Sequence, residues 1–237
     1  MGAISAAVQV CRKRIDAACA EAGRTAECAR LLAVSKTFPA NAIREAYTSG
    51  LTAFGESYLR EALDKLDALA DLPLEWHFIG PLQSNKTRPV AERFAWVHSV
   101  ERKKVACRLS EQRPSALPPL NVCVQVNVSN EPSKHGVPPE QALDLARRVA
   151  SLPGLRLRGF MGIPEASPDH ARSRFSLLRA LLEQAQAEGL AVDTLSMGMS
   201  ADLEAAILEG STMVRVGSAL FGSRNRAYPV ITDNHYR

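Results

Sequence analysis

Four apolar residues in a row, Leu31-Leu32-Ala33-Val34, follow a polar loop and give way to Ser35-Lys36-Thr37-Phe38-Pro39. So short and unbroken an apolar run reads as a strand buried on both faces, the pattern of a parallel sheet covered by helices. Pro39 suits the first turn of a helix, and Asn41 to Ala46 continues with helical composition, so a βα unit begins here. Gly50 stands where a C′ glycine closes such a helix. The alternation then repeats. Apolar stretches at 52–56, 75–80, 95–99, 120–128, 155–161, 194–197 and 213–216 are separated by stretches with helical composition or periodicity. The stretch at 120–128 has valine at 122, 124, 126 and 128, a β-branched residue at every second position. Residues 3–22 are alanine-rich and free of proline, which predicts a leading helix that stops near Gly23.

Eight strands alternating with helices predict an α/β protein, a (β/α)8 TIM barrel with an extra N-terminal helix. A doubly wound sheet is the competing arrangement, but no G-x-G-x-x-G follows any of the strands. No linker or shift of composition interrupts the chain. Residues 1–237 therefore read as a single domain, with the barrel core at about 30–222.

Charge and cysteine content narrow the function classes. The net charge is +4, and no Lys/Arg block is long enough to be a nucleic-acid arm, so the excess suits a small anionic ligand. Nucleic acid and membrane are not expected partners: no apolar run approaches a membrane span, and residues 1–22 lack the apolar centre of a signal peptide. Five cysteines, an odd number without a C-x-x-C pair, argue against a disulfide framework and a zinc site, and for a reducing, cytoplasmic setting. Cys123, between Val122 and Val124, reads as core.

In a barrel, all strand carboxyl ends converge on one mouth. Lys36, Glu56, His77, Asn127, Met161, Ser196 and Arg215 would come there from seven strands. Taken singly each is weak evidence: His77 reads equally as a hydrogen-bonded structural histidine, and Glu56 as a helix cap or the partner of a cation. The last two strand ends are more informative. Ser200 is placed to cap a helix beginning at Ala201, and Gly217 and Ser218 leave backbone amides at a final strand–helix turn, a natural phosphate seat. A phosphate seat opposite a lysine suits a phosphorylated aldehyde held as a Schiff base, the lysine being activated by desolvation. Pyridoxal 5′-phosphate fits both ends, with its aldehyde on Lys36 and its phosphate at Ser200 and the Gly217–Ser218 amides. Arg215 would lie near the ring, where a residue that only donates keeps the pyridine nitrogen unprotonated. A Schiff-base aldolase acting through Lys36 on a sugar phosphate also accounts for the lysine and the seat. Lys65, on a helix, and Lys134, in the loop after strand five, read as solvated.

The runs LLAVSKTFPANAI, FGESY, EWHFIGPLQSNK, LNVCVQVNVSNEPSKHGV, LRLRGFMGIP, LSMGMSADLEAAI and GSTMVRVGSALFG resemble the pyridoxal phosphate homeostasis proteins, relatives of the N-terminal barrel of bacterial alanine racemase. The resemblance implies a barrel carrying the cofactor on Lys36, with no established catalytic residues or turnover and no metal. It also implies phosphate contacts at Ser200, Gly217 and Ser218, and the ring nitrogen at Arg215. Asn85 and Met161 would line the pocket, and His77 belongs with them. Its role would be to keep free vitamin B6 cofactor low and available, with apoenzymes as possible acceptors. The racemase reading is the enzyme alternative. It needs a second acid/base group opposite Lys36, which the racemase supplies as a tyrosine from an additional domain across a dimer. The chain ends soon after the eighth strand, which favours a monomer and leaves Tyr58, Tyr228 and Tyr236 as stand-ins. Ser57 replaces the asparagine usual in the G-E-N motif, and the tail from Asn225 to Arg237 matches no motif.

Overall fold

The computed structural model describes residues 2–131, 134–165 and 168–223. A helix, α1 (Ala3–Glu21), precedes β1 (Arg30–Val34), α2 (Ala40–Thr48), β2 (Ala53–Glu56), α3 (Leu59–Ala68) and β3 (Glu75–Phe78). A 3-10 turn at Ser84–Lys86 leads into α4 (Thr87–Arg93), then β4 (Trp96–Val100), α5 (Lys103–Gln112), β5 (Leu120–Val126) and α6 (Pro139–Ala150). The chain continues through β6 (Leu155–Gly162), α7 (Pro168–Ala187), β7 (Thr194–Ser196), α8 (Leu203–Leu208), β8 (Met213–Val216) and a short α9 (Ser218–Phe221).

The strands pair in parallel, each with the next, and β8 returns to β1 to close an eight-stranded barrel. Because successive side chains alternate between faces, the closed sheet has two cores. Ala33, Phe54, Trp76, Phe78, Val97, Val122 and Val124 face outward and join the helices in the larger core. Leu32, Ala53, Trp96, Cys123, Met161 and Met213 form a separate cluster inside the barrel. Full burial of both faces explains why these strands read as apolar runs instead of alternating ones. Cys123 is fully buried, as its setting predicts.

Helix α1 buries Val8, Cys11, Ile15, Ala18 and Cys19, a stripe at helical spacing, and packs against α8, α9 and α2. Arg14 on this helix forms a bidentate pair with Glu204 of α8, at 2.7 and 2.9 Å. Gly23 ends the helix with φ +65°.

Three expectations are corrected. Cys19 and Cys28 form a disulfide, with Cα atoms 6.3 Å apart. The chain doubles back after Gly23 and returns Cys28 beside the last turn of α1, a proximity that linear spacing conceals. The cysteine pattern therefore no longer argues for a reducing compartment. Second, α8 starts at Leu203 with Asp202 as its N-cap residue, not at Ala201, so Ser200 does not cap it. Third, β5 ends at Val126, because the amide of Asn127 turns to the carbonyl of Val137. Among the described residues no helix is long and apolar enough to cross a membrane, and no cluster of metal-ligating side chains occurs.

Candidate functional site

Lys36 follows the carboxyl end of β1 and is half-buried. Its loop is fixed from several sides. Before it, the Ser35 amide donates to the carbonyl of Gly55 and the Ser35 hydroxyl donates to Glu56 Oε1 at 2.6 Å. After it, Thr37 adopts φ +70° and its amide donates to Glu61 Oε1 at 2.6 Å. Lys65 ties these parts together. Its ammonium donates to the Ser35 carbonyl at 2.8 Å, to Glu56 Oε1 at 2.8 Å and to Glu61 Oε1 at 2.5 Å. Burial pushes the Glu56 carboxyl up to about 7, against the pull of the Lys65 cation and the Ser35 hydroxyl. A backbone held in an unfavourable φ by a buried ionic cluster gives Lys36 a defined origin.

Phe38, two residues on, meets Phe221 of α9 with ring centroids 5.0 Å apart, joining the lysine loop to the final turn of the barrel. That turn is tightly built. A side chain at Gly217 would place its Cβ 3.1 Å from the carbonyl oxygen of Val34, a tight approach that a larger residue could make only if β1 gave way slightly. The amides of Leu220 and Phe221 return to the Gly217 carbonyl; those of Ser218 and Ala219, in the first turn, are placed to serve an external acceptor. The neighbouring β7–α8 loop is drawn in by two contacts. The Arg215 amide donates to the Gly198 carbonyl at 2.9 Å, and Arg14 of α1 donates to the Ser200 carbonyl at 2.9 Å.

A polar chain fills the barrel interior beneath these loops. Arg215, 4% exposed, donates from one guanidinium nitrogen to the carbonyl and hydroxyl oxygens of Ser196, and from the other to the Gly162 carbonyl at 3.0 Å. Ser196 Oγ lies 2.8 Å from His98 Nδ1, His98 Nε2 lies 2.9 Å from His77 Nδ1, and His77 Nε2 lies 2.7 Å from Glu75 Oε1. Glu75 also pairs with Arg30 at 2.7 Å. Burial lowers the basicity of both histidines, His98 more strongly because His77 and the Arg215 cation stand beside it. Burial brings the Arg215 guanidinium down to about 10, which still leaves it cationic at neutral pH.

Of the residues assigned to the mouth, Lys36, Ser200, Gly217 and Ser218 come from loops bound to one another by these contacts. His77, Ser196 and Arg215 join in one hydrogen-bonded chain, and Met161 is buried inside the barrel. Asn85 lies exposed on the turn after β3. Two placements differ from expectation. Glu56 does not face the mouth: it points outward with Phe54 toward α3, because inward positions on β2 fall to Ala53 and Gly55. Asn127 instead braces the following loop, its amide donating to the Glu131 carbonyl at 2.8 Å. Lys65 is not solvated but 6% exposed, and Lys134 pairs with Glu131 at 3.3 Å. Tyr58 precedes α3, whereas Tyr228 and Tyr236 lie outside the described residues. Sequence reasoning passed over His98, Glu75 and Ser35. His98 has a readable signal, since it shares its strand face with Trp96, whereas Glu75 looked like an ordinary strand start.

Comparison with known proteins agrees with this architecture. Residues 10–225 match the model of the alanine racemase N-terminal domain. The pyridoxal phosphate homeostasis protein of Pseudomonas aeruginosa is 61% identical over 218 residues, covering 91% of this chain and 94% of that protein. The protein of the same name from Escherichia coli K12 is 50% identical, covering 90% and 94%. Among solved structures, PipY of Synechococcus elongatus with PLP bound superposes with a TM-score of 0.77 at 37% identity, covering 88% of this chain and all of that one. Alanine racemase from Corynebacterium glutamicum, at 20% identity and a TM-score of 0.69, shares the fold. The chain belongs to the family of pyridoxal phosphate homeostasis proteins.

Proposed function

We propose that this protein binds pyridoxal 5′-phosphate as a Schiff base on Lys36 and takes part in cytoplasmic vitamin B6 homeostasis without catalytic turnover. The observation that carries the reading is the anchoring of Lys36. A lysine loop held in place by the buried Lys65–Glu56–Glu61 cluster is also tied by Phe38 to the turn that offers the Ser218 and Ala219 amides. That arrangement suits a ligand with an aldehyde at one end and a phosphate at the other. Arg215 fits the ring nitrogen, because a buried guanidinium can donate a hydrogen bond but cannot accept one. When bound, the cofactor would supply an electron-withdrawing ring. An arginine partner, in contrast to a carboxylate, weakens that property. Ser200, His77, Asn85 and Met161 complete the proposed surroundings. The protein is proposed to act as a monomer that yields its cofactor to apoenzymes.

The test is a visible spectrum of the purified protein and of Lys36→Ala, before and after borohydride. A yellow wild type that borohydride fixes on Lys36, and a variant without that band, are expected. A wild type that stays colourless with added pyridoxal phosphate would overturn the reading, and racemase activity lost in Lys36→Ala would overturn the absence of turnover.

A further inference from the structure

The interior chain runs from Arg215 near the carboxyl ends of the strands to Glu75, the first residue of β3, at the opposite mouth. Its direction follows from its two ends. Glu75 receives Arg30 at 2.7 Å and is one-third exposed, so it is a carboxylate and can only accept. His77 Nε2, 2.7 Å away, must therefore carry a hydrogen. A neutral His77 then presents a bare Nδ1, which must accept from His98 Nε2–H across 2.9 Å. That leaves His98 Nδ1 bare, to accept from the Ser196 hydroxyl across 2.8 Å. The serine oxygen in turn accepts from Arg215. The assignment also closes from the other end. Arg215 cannot accept, so the serine proton must go to His98, the partner left to it among the described residues.

Every donor thus points toward Glu75. The reverse tautomers would set a bare imidazole nitrogen against a carboxylate and leave a buried hydroxyl proton without an acceptor, each a costly arrangement in a dry interior. We propose that Glu75 is a positioning residue: it pins both buried imidazoles as Nε2–H tautomers and, through Ser196, holds the Arg215 guanidinium at its place near the mouth. The step from Arg215 to a cofactor ring rests on the function proposed above; the tautomers do not.

The experiment is nitrogen NMR of the full chain labelled at histidine and arginine, first without cofactor. Of the five histidines, two should be neutral Nε2–H imidazoles at neutral pH, with bonded-proton couplings linking them. Glu75→Ala should release His77 into a mixture of tautomers and speed exchange of the Arg215 guanidinium protons by about tenfold, the loss of one hydrogen bond to a charged group. Either buried ring found as the Nδ1–H form or as a cation in the wild type would overturn the assignment, whatever the variant does. A folded Glu75→Ala protein with unchanged tautomers and unchanged Arg215 exchange would overturn the role of Glu75. Pyridoxal phosphate titration separates the two readings. Binding weakened about tenfold in Glu75→Ala is expected, and a wild type that takes none overturns the proposed function while leaving the NMR result to judge Glu75.

Discussion

Lys65 Nζ lies 2.8 Å from Glu56 Oε1, and the two side chains are 7% and 0% exposed. The same ammonium holds the carbonyl of Ser35, the residue before Lys36. A charge pair that a helix lysine would ordinarily keep in water is here turned inward to fix the loop carrying the candidate nucleophile.

Removing Lys65 leaves Glu56 buried without its cation, and the carboxyl, already raised to about 7 by burial, takes up a proton. Lys65→Met should cost about 1–3 kcal/mol in urea unfolding, for the hydrogen bonds left unmet, and weaken pyridoxal phosphate binding with it. Lys65→Met combined with Glu56→Leu should recover much of the stability but not the binding, because Ser35 would still lack both side-chain partners and Glu61, which holds the Thr37 amide, would lose the lysine that clamps it. Equal recovery of both would show that the cluster serves stability alone.

Glu56 makes stability depend on pH in a definite direction. Its carboxyl is raised from 4.5 to about 7, chiefly by burial, with Lys65 opposing. The folded state therefore holds the proton more tightly than the unfolded state. The contribution is fully present below about 4.5 and is lost as pH rises through about 7. The stability of the wild type relative to Glu56→Gln should fall across that window. A carboxyl carbon titration of Glu56 with a midpoint near 4.5 would contradict this.

Arg215 serves acceptors on two strands at once, Ser196 on β7 and Gly162 on β6. Lysine keeps the charge but not the planar fork, so Arg215→Lys should leave one set of acceptors unmet. Stability should drop by about 1–3 kcal/mol, and cofactor affinity by about tenfold, with Lys36 still able to react. Unchanged affinity in fluorescence titration would remove Arg215 from the site.

The Cys19–Cys28 bond spans nine residues and fastens the end of α1 to the segment entering β1. Closing a loop of that size is worth about 2.5 kcal/mol on the chain-entropy model. Dithiothreitol, or Cys19→Ser, should lower the unfolding midpoint correspondingly. Thiol titration of the denatured protein should count three free cysteines before reduction and five after.

The strand–helix alternation, the leading helix and its stop at Gly23, and the placing of Lys36 after β1 were all legible from residue order, because burial of a parallel barrel strand on both faces leaves an apolar run that needs no neighbour to be recognised. The final turn was legible because its small residues, Gly217 and Ser218, stand next to each other in the chain; the close approach of Gly217 to Val34 was not, since it arises only when β8 returns to β1. What residue order could not convey was direction and partnership. Glu56 and His77 looked alike as polar strand ends, but parity on a closed sheet sends one outward to Lys65 and the other inward to His98. The Cys19–Cys28 pairing depends on how a loop folds back. Lys65 became buried only because Glu56 of β2 and the Ser35 carbonyl after β1 converge on it, beside Glu61 one turn back on its own helix. Sequence determined which elements form and which face of each is apolar, since those follow from short-range periodicity. The tertiary structure decided which polar groups meet, since a buried charge or imidazole is tolerated only where closure of the barrel brings its partner within hydrogen-bonding distance.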